Sequence, residues 1–206
     1  MPATPSGTLS AKGRQTRLSI EQAARKLFAE RGFHGTTLGE ITAASGKSPA
    51  AFYRYFADKE DLLEALAQSF LRGVVTPSGL SLQLPESPDD DAFFTAVVTG
   101  YWTMFKQNIG IMIAVAQLAT TQPRFSAVQN EFRRFGIDIV AASVRRAQEQ
   151  GYGGELDPEY TAAAIALLFE NFTTVFVGTH GLGIDINDDD AISTLSRIWK
   201  KTLYGF

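Results

Sequence analysis

Apolar side chains recur every three or four residues along most of this chain, which is the period of an amphipathic α-helix. Four helices are predicted in the first 70 residues, from the apolar positions Ile20, Ala23, Ala24, Leu27, Phe28, Leu38, Ile41, Ala44, Phe52, Leu62, Leu63, Leu66 and Phe70. Five more are predicted over about residues 90–107, 110–120, 124–150, 158–179 and 189–203. No alternation of period two persists, so the sequence predicts an all-α fold of about nine helices.

Residues that start or stop helices divide this pattern at consistent places. Gly32 is suited to end the first helix, because glycine adopts the backbone conformation common at helix C-termini. Thr36 or Thr37 is placed to cap the second helix, and Ser48 to cap the third, with Pro49 in its first turn. These signals predict two short helices after a longer first one.

The two short helices are joined by a tight turn, Ser45-Gly46-Lys47, and together they predict a helix-turn-helix. Residues 1–13, rich in Pro, Ser, Gly and Thr, are expected to form a disordered tail. The chain then divides into a DNA-binding helix-turn-helix domain over 14–60 and a larger helical domain over 61–206. Two aspartate triplets, Asp89–Asp91 and Asp188–Asp190, are interpreted as helix starts rather than a metal site.

Charge is unevenly distributed over the 206 residues, whose net charge is −3. Residues 1–60 hold nine Lys and Arg against five Asp and Glu, whereas residues 61–206 hold ten against seventeen. A basic head on an acidic body is expected when one end of a protein meets phosphate.

The composition excludes several classes of chemistry. There is no cysteine and only two histidines, which removes thiolate zinc sites and cysteine nucleophiles and leaves little for a histidine cluster. An enzyme is the rival interpretation, yet the chain has no G-x-S-x-G or H-E-x-x-H motif. We therefore expect no enzyme activity, no cofactor and no metal.

Two segments bear on location. The N-terminus lacks an apolar signal-peptide core, which predicts a cytoplasmic protein. The longest nearly uncharged stretch, residues 160–184, is interrupted by Glu170 and Asn171. A carboxylate near the middle of a membrane span is costly, so a helix buried in the core or against a partner subunit is favoured over a membrane contact.

The residues around the turn form a run with many fixed spacings. The run comprises TRLSIEQAARKLFAERGF at 16–33, TTLGEITAASGKS at 36–48 and AFYRYFADKEDL at 51–62. It closely resembles the N-terminal DNA-binding domain of TetR-family transcriptional regulators. The resemblance implies a dimer that binds a palindromic double-stranded DNA operator, and a variable C-terminal domain that carries ligand binding and dimerisation.

The resemblance implies phosphate contacts for three residues. Tyr53 lies one step past the inward-facing Phe52, so its hydroxyl can donate to a phosphate oxygen. Lys59 opens the fourth helix, where its ammonium and the free N–H groups can hold a phosphate together. Thr37 lies at the end of the second helix that family members use on the DNA backbone, although it is also a plain cap.

Base readout is expected at the start of the third helix, from Lys47, Ser48, Pro49 and Ala50. Lys47 either donates to a guanine in the groove or extends to solvent and only adds charge. Pro49, Ala50 and Ala51 offer thymine methyl contacts but no side-chain hydrogen bonds, which leaves part of the specificity to DNA shape.

Large apolar side chains in the C-terminal domain predict a pocket for a lipophilic small molecule, such as a fatty acyl chain, a sterol or an aromatic compound. Rings at i, i+3 and i+7 of the eighth helix form one wall. The candidate lining residues are Trp102, Phe105, Met112, Gln117, Phe135, Phe169, Phe172 and Phe176. Glu170 and Asn171 are candidates to orient the ligand.

Small residues at the start of the eighth helix allow another helix to approach closely. With the apolar face of the last helix they predict a four-helix homodimer interface. Its predicted residues are Ala162, Ala163, Ala164, Ala166, Ile192, Leu195, Ile198 and Trp199. The sequence thus predicts a ligand-responsive regulator, most often a repressor, whose effector tilts the fourth helix. An adaptor that binds DNA and senses nothing remains the alternative.

Overall fold

In the computed structural model, which describes residues 10–75, 84–179 and 181–205, the chain forms nine α-helices and no strand. They are α1 (Ala11–Arg31), α2 (Leu38–Ser45), α3 (Pro49–Tyr53), α4 (Lys59–Val75), α5 (Asp91–Gln107), α6 (Ile109–Ala119), α7 (Pro123–Glu149), α8 (Pro158–Thr173) and α9 (Asp188–Tyr204). A π-helical segment, Thr174–Thr179, continues α8. The predicted all-α class is confirmed for the described residues.

The helix-turn-helix begins and ends at the residues that capping chemistry predicts. The Thr37 hydroxyl accepts from the Glu40 N–H (3.2 Å), and the Glu40 carboxylate accepts from the Thr37 N–H (2.8 Å), which closes a capping box on α2. Gly46 ends α2 with φ +66°, in the left-handed region. The Ser48 hydroxyl accepts from the Ala51 N–H (3.2 Å) at the start of α3.

Two helix starts differ from the sequence-based expectation. Ser10 caps α1 by accepting from the Gly13 N–H (3.2 Å), so residues 11–13 are helical rather than part of a disordered tail. The rest of the predicted tail, residues 1–9, lies outside the described residues. In the acidic triplets, Asp90 caps α5, but α9 is capped by Asn187, which places Asp188–Asp190 in its first turn.

Two buried clusters organise the helices. The first joins α1–α4 to α6 and the start of α7, with Phe28, Phe52, Leu66, Ile111 and Phe125 at its centre. It therefore crosses the predicted domain boundary at residue 60 without a break in packing. The DNA-binding segment and the body share one core.

The second cluster lies among α5, α7, α8 and α9. Trp199 is at its centre, packed edge-on against Phe94 at 5.2 Å between ring centroids. The indole N–H of Trp199 donates to the buried Ser143 hydroxyl (3.1 Å), so its polar group is satisfied within the core.

Helix α6 is held between the head and the body by two glycines. A methyl group at Gly110 would lie 2.5 Å from the Ala29 nitrogen and 2.6 Å from the Phe28 carbonyl carbon, so α6 packs directly on the α1 backbone. A methyl group at Gly178, in the π-helical segment, would lie 2.5 Å from the Ile113 Cδ1 atom of α6. Helix α6 therefore packs against both α1 and the π-helical extension of α8.

Gly110→Ala tests this close approach. Because the added methyl has no room against backbone atoms, we expect the free energy of unfolding to fall by about 1 to 3 kcal/mol, as overpacking does. Gly100→Ala is the matched control, since a methyl there meets no atom within 4 Å. The control should gain roughly 0.5–1 kcal/mol from replacing a helical glycine. Urea unfolding measures both changes, and a Gly110→Ala protein as stable as wild type would contradict the packing described.

Candidate nucleic-acid interface and internal cavity

Helix α3 presents a short exposed face of small and aromatic residues. Pro49, Ala50, Tyr53 and Arg54 are exposed, whereas Phe52 is fully buried on the opposite side. Tyr53 is 60% exposed and contacts Phe52 edge-on, with ring centroids 5.7 Å apart. Its ring is therefore fixed by the core while its hydroxyl faces solvent, as a phosphate contact requires.

The remaining predicted base-reading residues lie at the turn and the first turn of α3. Lys47 is half-buried, and its backbone N–H donates to the Thr42 carbonyl (2.9 Å), which fixes the turn. Ser48 is exposed, and its hydroxyl remains able to donate, because it accepts from the Ala51 N–H. These placements leave Lys47, Ser48, Pro49 and Ala50 as predictions for base contacts.

Thr37 is occupied as a cap. Its hydroxyl donates to Glu40 (2.8 Å) as well as accepting from that residue, and Arg31 forms an ion pair with the same carboxylate (2.6 Å). The hydrogen bond from the Thr37 N–H is the main cause of the lowered pKa of Glu40, and the Thr37 hydroxyl and Arg31 add to it. The Thr37 side chain therefore caps α2, and its contact with the DNA backbone stays a prediction.

Lys59 makes several contacts within the protein. Its ammonium donates to the backbone carbonyls of Phe33 (2.7 Å) and Thr36 (2.6 Å), and it lies 4.3 Å from the centroid of the Phe33 ring. Burial lowers the pKa of Lys59, while the carboxylates of Glu60 and Glu40 act in the opposite direction. The side chain thus ties α4 to the loop before α2, and its contact with phosphate stays a prediction.

Arg54 is a further candidate for a phosphate contact that the sequence pattern did not single out. It follows Tyr53 at the exposed end of α3 and makes no ion pair with any described residue. A basic residue next to the predicted phosphate-binding tyrosine was the available signal. Arg54 supplies the exposed positive charge that Lys59 does not.

A cavity of about 650 Å³ lies between the helix-turn-helix and the body. Its wall is mostly apolar and is built by α4, α5, α7, α8 and α9, with one side chain from α1. The lining residues are Arg25, Phe70, Gly73, Ala96, Val97, Val98, Gly100, Tyr101, Met104, Asn108, Phe132, Arg133, Phe135, Gly136, Ile139, Val140, Ala166, Phe169, Glu170 and Trp199. The volume falls within the range of about 300–1,000 Å³ that is typical of small-molecule sites.

Two of the eight predicted ligand-binding residues, Phe135 and Phe169, line this cavity. The structure places the others elsewhere. Those six are Trp102 and Phe105 in the interior, Met112 against the first core cluster, Gln117 on the surface, and Phe172 and Phe176 in tilted contact with ring centroids 4.6 Å apart. Phe176 lies in the π-helical segment that begins at Thr174, where the wider turn changes the direction of side chains relative to α8.

Of the eight predicted dimer residues, Ala164 and Ile198 are exposed, whereas five others lie in different surroundings. Ala162, Leu195 and Trp199 are buried inside the subunit, Ile192 packs against the second core cluster, and Ala166 lines the cavity. On these helices the apolar side chains exposed to solvent are Tyr160, Leu167, Leu168 and Ile198. The elements α8 and α9 do carry an open apolar surface, and of the predicted residues Ile198 belongs to it. Each residue step turns a helix by about 100°, so a phase error of one residue selects the wrong face.

The polar groups of the cavity wall are of two kinds. Arg133 and Glu170 form a bidentate ion pair (2.7 and 2.8 Å), and these hydrogen bonds are the main cause of the raised pKa of Arg133. Arg25 instead donates to the Asn108 side-chain oxygen (2.8 Å), and burial lowers the pKa of its guanidinium. Tyr101 is buried without a well-formed hydrogen bond among the described residues, and burial, with a smaller effect of Glu170, raises its pKa.

Comparison with known proteins gives this geometry its context. Residues 20–66 match the family model described as bacterial regulatory proteins, tetR family. The HTH-type transcriptional repressor AcnR of Corynebacterium glutamicum is 39% identical over 72 residues, which span 34% of this chain and 38% of the repressor. The HTH-type transcriptional regulator UidR of Escherichia coli K12 is 23% identical over 187 residues, which span 88% of this chain and 87% of UidR.

A solved structure shares the fold over nearly the full length. It is the transcriptional regulator FadR from Bacillus subtilis in complex with stearoyl-CoA, which is 18% identical, with a TM-score of 0.65, covering 92% of this chain and 98% of that one. The family and these relatives are transcriptional regulators, not enzymes. Residues 20–66 thus form a helix-turn-helix that matches the tetR family of bacterial regulatory proteins, and the described part of the chain shares the all-α fold of the solved regulator.

Proposed function

We propose that this protein is a cytoplasmic, ligand-responsive repressor that binds a palindromic operator as a homodimer and is released by a lipophilic small molecule. One observation carries the proposal: the wall of the cavity includes Arg25 of α1 and Phe70 and Gly73 of α4. These helices hold the helix-turn-helix, so a molecule in the cavity contacts the DNA-binding head itself.

The exposed face of α3 supports operator binding. A helix-turn-helix places its second helix in the major groove, where Lys47, Ser48, Pro49 and Ala50 would meet base edges. Tyr53 and Arg54 would meet the phosphates beside the groove. The two-fold symmetry of a homodimer matches a palindromic operator.

The cavity supports a lipophilic effector. Its wall is largely aliphatic and aromatic, and polar groups are few, as in sites that bury most of an apolar ligand. The related FadR structure, solved with stearoyl-CoA, shows that this fold accommodates a long acyl group. The cavity also disfavours the alternative of an adaptor that senses no ligand, because such a protein would have a well-packed body without a cavity.

The apolar surface of α8 and α9 supports a homodimer. The stretch Pro158–Gly178 is long and apolar enough to cross a membrane, and only 22% of it is buried in the subunit. We propose that a second copy of the chain, rather than a membrane, covers this surface. Glu170 in this stretch forms an ion pair with Arg133 of the same subunit, and a carboxylate at such a position is costly in a membrane. Two α8 and two α9 helices would then pack around a two-fold axis. Tyr160, Leu167, Leu168 and Ile198 would form the contact between the subunits.

Release requires that the effector prefer one arrangement of the heads. A ligand that binds both states equally shifts nothing, however tightly it binds. In the proposed mechanism the effector displaces Phe70 of α4 and the α1 side chain in the wall, and the two heads move out of register with successive major grooves.

The roles of Arg54 and Lys59 are separable by charge removal. Arg54→Met should lower the salt slope of operator binding by about one, as loss of a phosphate contact does, and leave stability unchanged. Lys59→Met should lose two charge-assisted hydrogen bonds and on the order of 2 kcal/mol of unfolding free energy, with little change in slope. Fluorescence anisotropy at several salt concentrations and urea unfolding measure the two effects. The reverse pattern would restore Lys59 as the phosphate ligand.

Tyr53→Phe tests the neutral phosphate contact. We expect operator and unrelated DNA to lose affinity by a similar factor, roughly 5-fold for about 1 kcal/mol, because a phosphate bond carries no sequence information. The salt slope should stay constant, since no charge is removed. Tyr152→Phe, in the body, is the control. A loss confined to the operator would show instead that Tyr53 reads a base.

Leu167→Lys tests the proposed dimer face. A lysine there would place a charge at the centre of the apolar contact, so sedimentation should shift from twice the 22.4 kDa chain mass toward the monomer. Leu18→Lys is the matched control, because Leu18 is exposed to nearly the same extent (48% against 47%) but lies on α1. A Leu167→Lys protein that remains dimeric would move the interface elsewhere.

A further inference from the structure

We propose that Arg25 binds the anionic head of an amphipathic effector, a single carboxylate on an aliphatic chain. This rests on the proposed function only in taking the cavity as a ligand site. It adds a polar determinant, and it places that determinant on the first helix of the DNA-binding head.

Arg25 is a partly buried cation without an anionic partner. Its Nη1 atom donates to the Asn108 side-chain oxygen (2.8 Å), and no carboxylate among the described residues lies within 4 Å of its guanidinium. Glu21, one turn earlier on α1, favours the charged form of Arg25 but is itself paired with Arg17 at 2.8 Å. A desolvated guanidinium bonded only to an amide gains more from an anion than a solvated one does.

The rest of the cavity wall suits the apolar chain of such a molecule. The other charged groups in the described lining, Arg133 and Glu170, neutralise each other through two hydrogen bonds. Arg25 is therefore the one unneutralised charge in that lining. A ligand with one negative group and an aliphatic remainder matches this distribution, whereas a neutral or cationic one does not.

Asn108 connects this site to the helices that flank it. It lies between α5 and α6, where an asparagine usually caps the following helix, yet its side chain makes no such cap. The side chain instead accepts from Arg25 and donates to the Met104 carbonyl (2.9 Å). A carboxylate that takes two donors of the guanidinium competes with Asn108 for Arg25. The same exchange removes the side-chain link between α1 and the residue that precedes α6.

A matched pair of ligands tests the proposal without DNA. Laurate and dodecanol share a twelve-carbon chain and differ in the charged head. Calorimetric titration of the dimer should give laurate at least about a tenfold higher affinity than dodecanol, as a charge-assisted hydrogen bond contributes. In Arg25→Met the preference should vanish through weaker laurate binding, and Arg25→Lys should retain part of it.

Lys26→Met is the control variant. It removes one positive charge from the next position of α1, at a side chain that is exposed and does not line the cavity, so the preference should persist. Equal affinities for the two ligands in wild type, no binding of either, or an undiminished preference in Arg25→Met would each overturn the proposal. Since operator binding is measured separately on ligand-free protein, none of these results bears on DNA recognition, and a failure to bind DNA leaves the Arg25 test intact.

Discussion

The contact of α6 with the α1 backbone at Gly110 is the constraint on which the rest of this structure depends. Without a side chain at Gly110, α6 comes close enough for Ile111 to join the core of the helix-turn-helix segment. The same helix packs against the π-helical extension of α8 through Ile113 and Gly178. One short helix therefore contacts both the head and the body, and neither can move independently of it.

The charged side chains at these helix contacts are satisfied in different ways. Where α4 meets the loop before α2, the Lys59 ammonium is satisfied by two backbone carbonyls, which fixes the head on its support. Between α7 and α8, Arg133 and Glu170 satisfy each other. Arg25, beside the start of α6, has only an amide. The cavity is thus neutral in one part and positive in another, and the positive part belongs to the DNA-binding head.

The sequence predicted a residue's role well where that role depends on neighbours a few positions away in the chain, and poorly where it depends on distant residues. The caps at Thr37 and Ser48 and the bounds of the helices follow from chemistry within a few residues, and the structure agrees closely. The direction of the Lys59 ammonium depends on carbonyls more than twenty residues away, which periodicity does not reveal. Residues 162–169 of α8 are all apolar, so the pattern there indicates a helix but not which face is buried. Ala162 and Leu167 were therefore indistinguishable before the fold was known.

The most direct test of this coupling is the distance between the two heads of the dimer. Because the chain has no cysteine, Ala57→Cys on the exposed surface before α4 provides a single spin-label site in each subunit. Double electron–electron resonance then measures the label separation with and without saturating laurate. A mean separation that changes when laurate occupies the cavity is the result that the account predicts. An unchanged separation, with calorimetry showing one laurate bound per subunit, would contradict it.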